Sequence, residues 1–451
     1  MNFLCVFGMR SGFPITTIAI WTSQSLLKFL CVPLLLIIWL SGCSRQPVAS
    51  PEHGPNAESA IIVVPGYYGT RLVREADRSL VFISLTQTLF GRQSLTLPVP
   101  DLGFEGTINL QPEGILDEVR VLPLVYSIDV YGSLLDRLRV SKHSGGEVIP
   151  FTYDWRGDLM EAVHSLDALI RRLRDQGKKD ISVVAHSMGG LIVSYYLRYG
   201  TQDIDTAVET WEGAGEINRV VLVGVPFLGA MNSFRNMNFG ATVGWNSSLL
   251  SYEAYASFPA SYYLLPVAGS DELLTPELKP LHGVIRNAGQ WRQSAWGLLK
   301  NKQTLSKNIV DGRAAYLSFW LRRSEQFLER LHAPLSTPSP YQPSLLYLYA
   351  KGTSTLAKGV WTGNPGKGHD SLLFEDPDPA TAGPSGNHPT VYADGDGTVT
   401  VSSAWLPAAY RQTFQATIRE YEVGHTELVT TPDIQDDIIE FLDSRSFSRE
   451  R

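Results

Sequence analysis

Residues Val183 to Tyr196 read VVAHSMGGLIVSYY, and this stretch restricts the fold more than any other in the chain. Ile181, Ser182, Val183 and Val184 have the character of a buried strand end, and from Leu191 onward the apolar positions Leu191, Val193 and Leu197 predict a helix. Between them, Ala185-His186-Ser187-Met188-Gly189-Gly190 puts small residues two before and two after a serine. A chain that turns so tightly from strand to helix brings its neighbours close enough for larger side chains to collide, the steric demand of a nucleophile elbow. Ala185 stands where the G-x-S-x-G pattern has its first glycine, and a methyl group still fits. The competing reading is an ordinary serine in a strand–helix turn.

The surrounding pattern is α/β. Ile61–Val64 reads as a strand broken by Pro65-Gly66, Val148–Phe151 as the next, and Ser344–Ala350 and Thr417–Val423 as two more. A further strand starts at Val220 and ends at Pro226. Leu159, Val163, Leu166, Ile170 and Leu173 recur at spacings of three and four and predict an amphipathic helix. Strands alternating with helices imply a mainly parallel sheet with helices on both faces. With 451 residues, 44% hydrophobic and 18% charged, the chain can bury a large core, and its length alone fits one large domain with insertions or two domains. Two stretches break the rhythm: 72–130, irregular and apolar, and 231–340, rich in aromatics such as Trp245, Tyr252, Phe258, Tyr262 and Tyr263. The second reads either as the packing of a subdomain or as a cap over a groove for an acyl chain.

The first 42 residues stand apart. Lys28–Cys43, KFLCVPLLLIIWLSGC, has one positive charge, an apolar run and small residues before a cysteine. It resembles a bacterial lipoprotein signal with Leu40-Ser41-Gly42-Cys43 as lipobox, translated from Met1 or Met9. The alternative, a transmembrane anchor, needs an apolar run nearer to about 20 residues. Cleavage before Cys43 removes Arg10 and Lys28 and takes the net charge from −7 to −9, which points away from nucleic acid. Cys5 and Cys31 leave with the leader, so Cys43 is lipidated and no intramolecular disulfide forms. Ser44 after it resembles lipoproteins sent to the outer membrane, and the expected place is the cell envelope, facing the periplasm. The expected organisation is a leader over 1–42, a tether over 43–58, a first core part over 59–230, a cap or lid over 231–340 and a second core part over 341–451.

Acyl transfer from an ester needs a nucleophile, a base, an acid to orient the base and two N–H donors for the oxyanion. In α/β-hydrolases they occur in the order Ser, Asp or Glu, His, at strand ends. Downstream of Ser187, YADGDGTVT at Tyr392–Thr400 is an acidic glycine-rich turn, and EVGHTEL at Glu422–Leu428 puts His425 between a strand and a helix. Taken singly, an Asp-Gly-Asp-Gly turn is more often a solvated loop, or resembles a calcium loop, and a lone histidine is more often structural. Of nine histidines, only His425 joins the right order to a strand–turn setting; His186 merely flanks the serine. VVPGYYGTRL follows the first strand, and the N–H of Tyr67 there is the candidate oxyanion donor beside the N–H of Met188. No metal is implied, for no His and acid cluster has ligand spacing.

Several motifs together, VVPGYYGTRL, PFTYDWRGDL, VVAHSMGGL, VVLVGVPFLGA, YADGDGTV and VGHTEL, resemble the lecithin–cholesterol acyltransferase (LCAT) family of α/β-hydrolases over about residues 60 to 440. Only the serine motif is common to all such hydrolases. The resemblance implies an α/β-hydrolase fold with a cap, Ser187 as nucleophile, Asp396 as acid, His425 as base, and Tyr67 and Met188 as oxyanion donors. It implies no cofactor. Asp154 and Arg156 are implied to brace the loop beside the site. The implied substrate is a phospholipid or related acyl ester, with a lipid alcohol or water as acceptor; a plain lipase shares every one of these residues. A lipid-binding envelope lipoprotein without catalysis is the reading from another class. The animal members close an interfacial loop with a disulfide, for which this chain has no cysteines.

Overall fold

The computed structural model describes residues 58–444 except 85–93, 98, 100–108, 123–125, 143–146, 244–245, 268–272, 364–370 and 376–390. The leader, Cys43, nearly all of the tether, and Trp245 therefore lie outside the described residues.

Six strands form the central sheet: β1 (Ser59–Val64), β2 (Val148–Pro150), β3 (Asp180–His186), β4 (Arg219–Val223), β5 (Ser344–Ala350) and β6 (Thr417–Tyr421). Their order across the sheet is β6-β5-β4-β3-β1-β2, and every pairing is parallel. Because side chains alternate along a strand, each apolar run supplies both faces. Ala60, Ile62 and Val64 of β1 enter one hydrophobic cluster, and Ile61 and Val63 enter the other; β4 divides likewise into Val220 and Leu222 against Val221 and Val223.

Helix α1 (Gly132–Arg139) contributes Leu134, Leu135 and Leu138 to the smaller cluster, as α7 (Pro432–Asp443) does with Ile434, Ile438 and Leu442. The other face is covered by α2 (Leu159–Asp175) and α3 (Met188–Tyr199). Helix α2 begins where its apolar spacing predicts, with the Asp158 side chain accepting the Met160 N–H as its cap. Helix α3 starts at Met188 rather than Leu191. The apolar period becomes visible only at Leu191, because Gly189 and Gly190 add nothing to it.

The two interruptions have more order than their composition suggests. Thr70–Arg74 is the middle strand of an antiparallel sheet with Leu80–Phe82 and Leu110–Ile115, and Glu118–Leu122 pairs with Tyr126–Asp129. The cap holds short helices α4 (Tyr252–Ser257) and α5 (Pro259–Tyr263) and the long α6 (Lys307–His332). It does not end cleanly at residue 340. Gly359–Trp361 returns to pair with Leu273–Leu274, and Leu372–Leu373 adds beside it, so a strand from the second core part completes the cap's small sheet. Phe258, Tyr262, Tyr263 and Leu265 are fully buried, with Phe258 edge-on to Trp155 and Tyr263 edge-on to Phe327. Phe258 thus joins the cap to the core, and Tyr263 packs against Phe327 within the cap.

A buried ion pair fastens α6 to α3. Arg198 and Glu209, 1% and 4% exposed, meet at 2.9 Å. The same guanidinium donates to the carbonyls of Arg330, Leu331 and Pro334 at the end of α6, and the other Glu209 oxygen accepts the N–H groups of Ser336 and Thr337. Arg198→Ala leaves a buried carboxylate without its cation and takes a donor from three carbonyls, of which that of Arg330 keeps the Tyr199 hydroxyl. It is expected to cost about 3–5 kcal/mol, read as a lower midpoint in urea unfolding with unchanged slope.

Candidate active site

Ser187 sits at the end of β3, in the middle of the sheet, with φ 54° and ψ −127°. That conformation is strained for any residue with a Cβ and persists only where the surroundings enforce it. They do so here by close approach. A Cβ on Gly189 would lie 2.6 Å from the carbonyl oxygens of both Val64 and Pro65, and one on Gly66 would lie 2.7 Å from Ser187 Cβ and 3.3 Å from its Oγ. The loop after β1 is thus pressed against the serine, and the Ser187 N–H is held by the Val223 carbonyl at 2.8 Å.

Asp396 and His425 meet beside it. His425 Nδ1 is 2.7 Å from Asp396 Oδ2, and both residues are buried. The His425 N–H also donates to the Asp396 carbonyl at 2.8 Å, and Asp396 Oδ1 accepts the N–H groups of Thr398 (2.9 Å) and Val399 (2.7 Å). Burial alone would raise the carboxyl pKa. The imidazole and these hydrogen bonds outweigh it and hold the group below the ordinary aspartate range. The turn's other acid, Asp394, instead accepts the Gly352 N–H at 2.6 Å. A carboxylate on Nδ1 leaves Nε2 as the acceptor nitrogen of His425. The Ser187 hydroxyl makes no hydrogen bond to a described residue; such contacts commonly tighten only in the substrate complex.

Among the described residues nothing accepts the N–H of Tyr67 or of Met188. The loop that carries Tyr67 is tied down on several sides. The Tyr153 hydroxyl donates to the Pro65 carbonyl at 2.8 Å, Trp155 Nε1 donates to the Thr70 carbonyl at 3.0 Å, and the Gly66 N–H donates to the Tyr131 hydroxyl at 2.9 Å. Tyr67 itself shares a 2.9 Å hydrogen bond with Ser261 of the cap. Arg156 forms a two-bond fork with Asp154 and donates to the Leu95 carbonyl. Neither residue reaches Ser187 or His425; they hold the surrounding loops, as the resemblance implied. Tyr153 belongs to the Tyr153-Asp154-Trp155-Arg156 run of the family resemblance, whereas Tyr131 was not singled out from the sequence. Nothing local marks Tyr131, since it acts on a loop remote in the chain. Among the described residues no group of three or more His, Cys, Asp or Glu is arranged to hold a metal ion.

A family model described as lecithin:cholesterol acyltransferase matches residues 124–437. An uncharacterized protein of Saccharomyces cerevisiae, YJR098C, is 26% identical over 215 residues, covering 47% of this chain and 30% of that protein. The chain thus spans about a third of the length of the curated relative it matches. Among solved structures, the Tle4–Tli4 complex contains a chain 14% identical, with 85% of this chain and 98% of that chain covered at a TM-score of 0.47. The mature form of Bacillus licheniformis lipase BlEst2 is 10% identical, with 88% and 96% covered at 0.34.

Proposed function

Because the chain belongs to the lecithin:cholesterol acyltransferase family, we propose that it is a serine acyl hydrolase or acyltransferase acting on phospholipids or related acyl esters through Ser187, His425 and Asp396. The observation that supports this most strongly is the buried Asp396–His425 pair beside a serine held at positive φ. A protein that only bound lipid would have no use for that strain.

In the first half-reaction Ser187 Oγ attacks the ester carbonyl while its proton passes to His425 Nε2. Asp396 stabilises the imidazolium, and the oxyanion is held by the N–H groups of Tyr67 and Met188. The intermediate collapses as the leaving alcohol takes the proton from His425, leaving the acyl group on Ser187. Water or a lipid alcohol, deprotonated by His425, then attacks the acyl-enzyme and releases a fatty acid or a new ester. The proposed setting is the cell envelope, with a lipidated Cys43 holding the enzyme at the outer membrane facing the periplasm; two or more acyl chains make such anchoring durable.

The test is to mix the purified protein with phospholipid vesicles containing a sterol and a diacylglycerol, and to follow the lipids by mass spectrometry. New acyl esters absent with Ser187→Ala identify a transferase and its acceptor. Free fatty acid and lysophospholipid alone identify a hydrolase. If neither vesicle lipids nor aryl esters change in a Ser187-dependent way, the catalytic reading is wrong.

A further inference from the structure

His186, beside the serine, is buried, and its ring centroid lies 4.7 Å from that of His425. Its Nε2 lies 3.2 Å from the His425 carbonyl oxygen, and its Nδ1 lies 2.8 Å from the Tyr131 hydroxyl, which also accepts the Gly66 N–H at 2.9 Å. The direction of every bond follows from the groups. A backbone carbonyl only accepts, so Nε2 carries the proton. A neutral imidazole has one N–H, so Nδ1 accepts, and Tyr131 must donate to it.

The geometry points to His186 and Tyr131 as positioning residues: one directed hydrogen-bond chain, Gly66 N–H to Tyr131 to His186 to the His425 carbonyl, sets the oxyanion loop and the base in register around Ser187. This rests on the acyl-transfer reading above. The chain joins the three segments that must agree within a fraction of an ångström, namely the loop carrying Tyr67, the elbow and the loop carrying His425. His425 is then held at its N–H and ring by Asp396 and at its carbonyl by His186. The titratable groups facing His186 are Tyr131, His425 and Asp396. Burial, and then the neighbouring His425, push its pKa down to about 3, which keeps the imidazole neutral; burial also raises that of the Tyr131 phenol.

The experiment joins steady-state kinetics on an aryl ester to ¹⁵N NMR of histidine-labelled protein. His186 is expected as a single Nε2–H tautomer that does not titrate between about pH 5 and pH 9. Tyr131→Phe is expected to lower kcat about 10- to 100-fold with KM changed less than about twofold, and to shift the His186 Nδ1 resonance. His186→Gln, which keeps a donor for the His425 carbonyl, is expected to retain more of kcat than His186→Leu. This comparison decides the matter even if Tyr131→Phe fails to fold. A titrating or Nδ1-protonated His186, an unchanged kcat in Tyr131→Phe, or equal losses in the Gln and Leu variants would overturn the proposal. Absence of Ser187-dependent turnover in the wild type sinks the acyl-transfer reading instead, and the NMR signature still reports whether the chain exists.

Discussion

Ser187→Ala is expected to lower turnover of any ester substrate by about 10⁴- to 10⁶-fold and to abolish labelling by a fluorophosphonate. Its fold is expected to be unchanged. The hydroxyl makes no hydrogen bond to a described residue, and alanine keeps the Cβ already accommodated at φ 54°. Ser187→Gly separates the two consequences of this position: it loses the same activity but relieves the backbone, so it should be more stable than Ser187→Ala by about 1–2 kcal/mol. Thermal melts of the two variants read the strain and ester hydrolysis reads the chemistry. Substantial turnover in Ser187→Ala would remove the nucleophile from the mechanism.

Asp396→Asn is expected to lower kcat by about 10⁴-fold with little change in packing. Asparagine can still accept the Thr398 and Val399 N–H groups through Oδ1, which turns its amide N–H toward His425 Nδ1. The imidazole must then carry its proton on Nε2, facing Ser187 with a donor where a base is needed. The pH dependence has a defined sign. The carboxyl pKa is lower in the folded protein than in the unfolded chain, so its charge stabilises the fold above the ordinary aspartate range. That contribution is lost only as pH falls through the lowered folded value. Asp396→Asn lacks it at every pH, so its stability relative to wild type is expected to improve on acidification. A loss in kcat below about tenfold would move the orienting role to another group.

Much of the fold was legible because its causes are local. β1, β3, β4 and β5 are short apolar runs buried on both faces, and α2 carries its period and its Asp158 cap in neighbouring residues. The order of Ser187, the acidic turn and His425 follows from the connectivity of a parallel sheet, whose strand ends all lie at one edge. The choice between Asp394 and Asp396 was not in the residues' own pattern; it came from the family resemblance, and the structure pairs Asp396 with the imidazole. The small strands between 70 and 129 escaped notice because runs of three to six residues, interrupted by register shifts, are too short to show a period.

By itself the sequence determined that the chain makes a parallel α/β sheet with a sharp elbow at Ser187, since sterics and periodicity act over a few residues and leave their mark there. Only the tertiary structure decided that Tyr131 and His186 link Gly66 to His425, that Gly359–Trp361 returns to complete the cap's sheet, and that the cap's aromatics pack against Trp155 and Phe327. Those contacts join segments far apart in the chain. A tyrosine that will meet a distant backbone amide looks, in sequence, like any other tyrosine; its role comes into being when folding removes both groups from water and leaves each as the other's partner.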